Sequence, residues 1–227
     1  MQEYQKTKEE VRLNKYLSES GVCSRREADR LIEEGRVMVD GEAAVMGMKI
    51  SSGQEVMVDG KVITPEEKMI VLAVNKPRGI VCTEESVNRT ISSVISIIPR
   101  GLPTPGRLDK DSEGLLLMTN QGDLANEIMH AGNFHEKEYI VTVDQPFNSA
   151  FIKKMQEGVE LKELEVTTRP CKVKALGKKT FQITLTQGLN RQIRRMCEAL
   201  GYHVVTLKRV RIMNIHLGRL NTGDYGE

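Results

Sequence analysis

Asp109 lies in the polar turn Gly106-Arg107-Leu108-Asp109-Lys110-Asp111-Ser112-Glu113-Gly114, directly before the apolar run Leu115-Leu116-Leu117-Met118. A short continuous apolar run reads as a buried strand, and a Gly-bearing turn at its mouth lets a substrate backbone come close. One carboxylate in a polar turn immediately before an apolar run is how a fold displays a catalytic acid. Asp111 is its local rival, and its side chain suits hydrogen bonds to the amides of Ser112 to Gly114. Taken alone, an Asp near Gly and Lys in a turn is more often a turn former than a catalyst. A second cluster sharpens the choice. Between Asn190 and Leu200, the apolar residues Ile193, Met196, Cys197 and Leu200 recur at i, i+3, i+4 and i+7, which predicts a helix with one apolar stripe. Arg191, Arg194 and Arg195 are expected on the opposite side, facing outward. Their planar forked donors suit phosphates and carboxylates, and one of them can reach an active-site Asp. The alternative is a solvated basic face, which is weakened because Glu198 is the one acid in that segment.

Other chemistries fit less well. Cys23, Cys82, Cys171 and Cys197 are far apart, with no Cys-x-x-Cys and no His at ligand spacing, so four reduced thiols and no metal site are expected. A hydrolase using Asp109 and Asp111 as paired carboxylates is disfavoured, because residues two apart in a turn rarely flank a bond. Gly177-Lys178-Lys179-Thr180 lacks the upstream Gly of a phosphate loop. Asn88-Arg89-Thr90 is a glycosylation sequon of no consequence in a cytosolic protein.

The net charge of +2 conceals an asymmetry. Residues 169–219 carry 12 Lys or Arg against one acid, whereas residues 1–60 carry 9 basic against 12 acidic side chains. A one-sided basic half is the footprint of a polyanion-binding surface, and RNA is the commonest intracellular candidate. No run approaches a membrane span, and the first residues lack the basic end and apolar stretch of a signal peptide, so a cytoplasmic protein is expected.

At 227 residues the chain can hold a small domain beside a larger one. Residues 1–8 are expected to be disordered. A short amphipathic helix is predicted over 11–17, stopped near Gly21. Ser24-Arg25-Arg26-Glu27 is a capping-box sequence that starts a second helix bearing Ala28, Leu31 and Ile32 and ending at Gly35. Val37-Met38-Val39-Asp40-Gly41 reads as a strand into a tight turn, and Glu55-Val56-Met57-Val58-Asp59-Gly60 repeats that pattern. These elements define a first domain over 9–60, with a polar linker at 61–68 and a second domain over 69–227. Strands are predicted there near 69–74, 115–118, 138–144, 166–175, 180–187 and 204–215, and helices near 123–130, 149–156 and 190–200. Strand runs with irregularly interspersed helices fit an α+β fold with a mixed, largely antiparallel sheet.

Four ordered segments resemble the RsuA-type RNA pseudouridine synthases. Gly106-Arg107-Leu108-Asp109 resembles the segment that carries their catalytic Asp. Asn75-Lys76-Pro77-Arg78-Gly79 resembles the first motif, Lys137-Glu138-Tyr139-Ile140-Val141 the segment with the active-site Tyr, and 188–196 the basic third motif. The wording of 131–139 is most similar to the branch acting on large-subunit ribosomal RNA. The N-terminal helices and hairpin resemble the RNA-binding domain named after small-subunit ribosomal protein S4.

The resemblance implies a cofactor-free isomerase working on a ribosomal RNA stem-loop, monomeric, with a basic cleft across the sheet. Asp109 is then the nucleophile, Tyr139 the platform for a flipped base and a proton acceptor, and Arg194 the partner of Asp109. Asn190, Arg191 and Gln192 are placed nearer the RNA, with Leu207 closing the pocket and Lys76, Arg107 and Arg209 contributing contacts. Arg12, Lys15, Arg25 and Arg26 are implied on the RNA-facing side of the first domain. Attack at the ribose C1′ through a glycal-type intermediate is the favoured route, and attack at the uracil ring the alternative. A non-catalytic ribosome-assembly factor on the same scaffold is the main rival, disfavoured because binding alone does not require Asp109, Tyr139 and Arg194 together.

Overall fold

A computed structural model describes residues 10–64, 70–82, 107–119, 124, 127–128 and 134–226. Two compact units result, one extending to Ile70 and the other built mainly from residues after it.

The first unit contains β1 (Val11–Arg12), α1 (Leu13–Glu19), α2 (Arg25–Glu33), β2 (Val37–Val39), β3 (Glu42–Ala43), β4 (Lys49–Ile50), β5 (Val56–Val58) and β6 (Lys61–Ile63). The Ser24 hydroxyl accepts from the Glu27 amide at 3.3 Å, capping α2 as its sequence requires. Asp40-Gly41 and Asp59-Gly60 both hold positive φ at their two central positions, the requirement of tight turns that match strand twist. The β3-β2-β5-β6 sheet and both helices enclose Leu13, Leu17, Ala28, Val37 and Val56.

Two expectations need correction here. Val11–Arg12 is a strand paired with β4, so the first helix begins at Leu13. Lys61–Ile63 is a strand paired with β5 rather than linker, because the Asp59-Gly60 turn returns Val62 and Ile63 to the sheet. The expected disorder of 1–8 and the 65–68 part of the linker lie outside the described residues.

The second unit runs through β7 (Val71–Lys76), β8 (Glu113–Thr119), β9 (Lys137–Val143), α3 (Ser149–Glu157), β10 (Glu160–Leu161), β11 (Val166–Thr167), β12 (Lys172–Ala175), β13 (Thr180–Leu185), α4 (Gln192–Ala199), β14 (Val204–Ile212), β15 (Ile215–His216) and β16 (Tyr225–Gly226). Among the described residues the main sheet has eight strands in the order β12-β13-β9-β14-β8-β7-β16, with β15 on β14. β14 runs parallel to β8 and antiparallel to β9, so the sheet is mixed. The strand predicted over 166–175 is two strands, β11 and β12. Of the helix predicted over 123–130, Leu124, Glu127 and Ile128 are described and helical, and the rest lies outside the described residues.

β8 is buried from Gly114 to Thr119, which explains its continuous apolar run. Its close approach to β14 depends on Gly114. At φ 103, a Cβ there would stand 2.2 Å from the Arg209 carbonyl oxygen. One face of the sheet packs Val141, Phe181, Ile183 and Leu207 against Phe151 and Met155 of α3 and Ile193, Met196 and Cys197 of α4. Each large apolar side chain so buried contributes about 1.5–3 kcal/mol. None of the four cysteines is in a disulfide, and burial pushes the thiols of Cys171 and Cys197 up to about 11 and about 12. Among the described residues, no helix is long and apolar enough to cross a membrane.

Candidate active site

The turn carrying Asp109 is held by its backbone. The Gly79 amide donates to the Lys110 carbonyl at 2.7 Å. Arg194 Nη2 donates to the Asp111 carbonyl at 3.0 Å and reaches Ser112 Oγ at 3.3 Å. Lys76 Nζ donates to the Ser112 carbonyl at 2.7 Å and to the Pro77 carbonyl at 2.9 Å. The Ser112 amide closes the turn onto the Asp109 carbonyl at 3.0 Å. Successive carbonyls are thus taken by separate donors, which fixes the turn while leaving the Asp109 side chain 35 % exposed. A pre-positioned carboxylate with open access is what nucleophilic attack needs.

The cations around it are placed differently from expectation. Arg191 makes the ion pair, with Nη1 3.8 Å from Asp109 Oδ2. Arg194 is 6 % exposed and its guanidinium serves the turn and the Val204 carbonyl, so it is a buried clamp rather than part of an outward cluster or the direct ion-pair partner. The cause lies in the start of α4. Arg191 adopts φ 50 and stands outside the helix, which begins at Gln192, and this turns its side chain toward Asp109. A left-handed residue other than Gly costs roughly 1–2 kcal/mol. Burial lowers the Arg194 pKa, and Arg191 adds to this while Asp109 and Asp111 oppose it. Lys76 is lowered too, mainly by burial, with Cys82, Asp109, Asp111 and Glu113 acting the other way.

Several proposed RNA contacts are corrected by burial. Lys76 and Arg209 are each 1 % exposed, and Arg209 Nε donates to the Leu115 carbonyl at 2.7 Å, tying β14 to β8. Neither side chain is on the surface to meet a phosphate. Gln192 is buried, its Oε1 accepting from the Leu189 amide at 3.0 Å, so it braces the helix start. Asn190 is exposed and accepts from Arg195, which also pairs with Glu163. Arg107 is exposed. Leu207 is 6 % exposed and belongs to the core beneath the sheet.

Tyr139 is half-buried on β9, paired across the sheet with Ile183 on one side and Arg209 on the other. Arg209 pairs in turn with Gly114 of β8, so Tyr139, Arg209 and Gly114 form one row leading to the end of the Asp109 turn. Ser112 and Arg78, whose Nη1 donates to the Val205 carbonyl at 3.2 Å, also belong to the surroundings of the turn. Both stand inside motifs already quoted, but only tertiary contacts give them roles. Among the described residues, no group of three or more His, Cys, Asp or Glu side chains could hold a metal ion. In the first unit Arg12, Arg25 and Arg26 are exposed, and Lys15 pairs with Glu19 at 3.6 Å.

Comparison with known proteins bears on the family of the chain. The RNA pseudouridylate synthase family matches residues 70–199, and the S4 domain matches residues 11–56. The chain is 51 % identical over 218 residues to the dual-specificity RNA pseudouridine synthase RluF of Escherichia coli strain K12, covering 95 % of this chain and 74 % of that one. It is 35 % identical over 223 residues to the ribosomal large subunit pseudouridine synthase B of Bacillus subtilis, covering 95 % and 91 %. A crystal structure of a pseudouridylate synthase superposes with a TM-score of 0.69 at 29 % identity, covering 95 % of both chains.

Proposed function

The chain belongs to the RNA pseudouridylate synthase family, and from that membership we propose that Asp109 attacks a flipped-out uridine of large-subunit ribosomal RNA. As an RNA pseudouridine synthase it is an isomerase. The bond between ribose C1′ and uracil N1 breaks, the base turns, and C1′ rejoins at C5; the proton leaving C5 is balanced by one gained at N1. No electron transfer is required.

The observation that carries the assignment is the Asp109 turn, whose carbonyls are pinned by Gly79, Lys76 and Arg194 while its carboxylate stays accessible. Arg191 Nη1 stands 3.8 Å from Asp109 Oδ2, a cation beside the carboxylate that attacks. Attack at C1′ is the preferred route. Tyr139 supplies a ring for the flipped base and a hydroxyl within a row that reaches β8. Extruding the base costs a few kcal/mol, offset by stacking and by backbone contacts. Arg191, Asn190 and Arg107, together with a basic cleft, are assigned to the RNA near the reaction, and Arg12, Lys15, Arg25 and Arg26 of the first domain, whose sheet runs on to Ile63, to its capture. We assign catalysis to 69–227, and a monomeric state and cytoplasmic location to the whole.

Asp109→Asn tests the central step, because the amide keeps the shape and loses the nucleophile. Tritium release from C5 should fall below detection while RNA affinity and thermal unfolding stay near those of the parent. Turnover near the parent level would move the role away from Asp109.

A further inference from the structure

The sequence has 4 Phe and no Trp, and three of those Phe serve the core. Phe147, Phe151 and Phe181 contact one another with ring centroids 5.2–5.7 Å apart. Phe134 is different, being 59 % exposed. Its backbone sits at φ 54, a left-handed conformation that bulky residues rarely adopt. Strain of that kind persists where the surroundings require the side chain in one place.

The Arg169 guanidinium lies 4.3 Å from the centroid of the Phe134 ring. The Arg169 amide donates to Gln187 Oε1 at 3.0 Å, and the same oxygen accepts from Gln192 Nε2 at 3.3 Å. Gln192 opens α4 directly after Arg191, the residue paired with Asp109. The exposed ring therefore shares a hydrogen-bonded hub with the start of the helix that serves the reacting carboxylate. It also precedes β9, the strand of Tyr139.

We infer that Phe134, backed by Arg169, is a stacking platform for an unpaired base of the RNA substrate, separate from the reacting nucleotide. This rests on the RNA-modifying reading above and adds a contact that selects unpaired over duplex RNA. A Phe ring offers no hydrogen bond, so it takes the face of any base and reads strandedness rather than sequence. The guanidinium adds a cationic partner on the same stack. RNA is favoured over a protein partner because residues 169–219 carry 12 basic side chains against one acid.

The test uses the full chain with two probes, an RNA hairpin carrying 2-aminopurine among its unpaired loop bases and a blunt duplex of the same stem. Phe134→Ala should weaken hairpin binding by about tenfold and abolish the change in 2-aminopurine emission, while Phe134→Trp keeps both within about twofold of the parent. Duplex affinity should stay within about twofold for all variants, as should the single-turnover rate on saturating ribosomal RNA transcript. Unchanged hairpin affinity in Phe134→Ala, or equal weakening of hairpin and duplex, overturns the proposal. Slowed chemistry at unchanged affinity would place the ring in the reaction site instead and overturn it equally. Affinity is measured without turnover, so absence of pseudouridine from the parent protein, which would sink the enzymatic reading, is a separate result.

Discussion

Replacing Arg194 with Met should loosen the Asp109 turn without acting through an Asp109 ion pair. The side chain donates to the Asp111 carbonyl at 3.0 Å, to Ser112 Oγ at 3.3 Å and to the Val204 carbonyl at 3.4 Å. A hydrogen bond from a charged donor contributes roughly 1.5–3 kcal/mol, and the two longer contacts lie near or beyond the usual range and count for less. Against this, the buried guanidinium carries a desolvation cost, and its Nε has no hydrogen-bond partner. The balance is a loss of about 2–3 kcal/mol. Urea unfolding followed by amide exchange in peptides from β9 and β14 isolates the second unit. Single-turnover rates should drop about a hundredfold as the carboxylate loses its position. Double-mutant cycles locate the interaction. Arg194→Met with Ser112→Ala should show a coupling of about 1 kcal/mol, and with Asp109→Asn less than about 0.5 kcal/mol. Strong coupling to Asp109 with none to Ser112 would refute the clamp and restore a direct ion pair.

Gly114→Ala should destabilise the second unit by about 3–4 kcal/mol, through overpacking plus backbone strain, because the new Cβ meets the Arg209 carbonyl at 2.2 Å at φ 103. A fall in Tm of about 10 °C is expected by calorimetry, and an unchanged Tm would mean that β8 and β14 separate at little cost. Tyr139→Phe should bind RNA almost normally and still flip the uridine, yet release tritium from C5 about a hundredfold or more slowly. Normal turnover would reduce Tyr139 to a stacking residue, whereas lost binding would mark it as sheet packing.

What could be read from the sequence was what local chemistry decides. The Ser24 cap, the Asp-Gly turns and the apolar run of β8 depend on near neighbours, and each forms where those neighbours require it. The turn that holds Asp109 was legible for the same reason, turn and strand being contiguous. Cation roles were harder, because Lys and Arg look alike on paper whether they face water or carbonyl groups. Arg209 is inside because β14 lies between β8 and β9, and Lys76 is inside because β7 ends beneath the Ser112 carbonyl. Arg191 became the ion-pair partner through a single left-handed backbone residue that helical periodicity does not reveal.

The position of β14 also bears on how the protein is made. It lies between β9 and β8, yet residues 144–203 must be synthesised before it appears. Translation at about 5–20 residues per second leaves β8 and β9 waiting several seconds for the strand that joins them. The first unit has no such delay, since its sheet pairs strands that are close in sequence and is complete by Ile63. An RNA-binding module can therefore fold on the nascent chain while the enzyme is still inactive. The interval also leaves apolar strand edges open, so chaperone cover matters most between emergence of β9 and arrival of β14. Slowing translation at codons 144–203 should accordingly lower the soluble yield more than slowing it within the first unit.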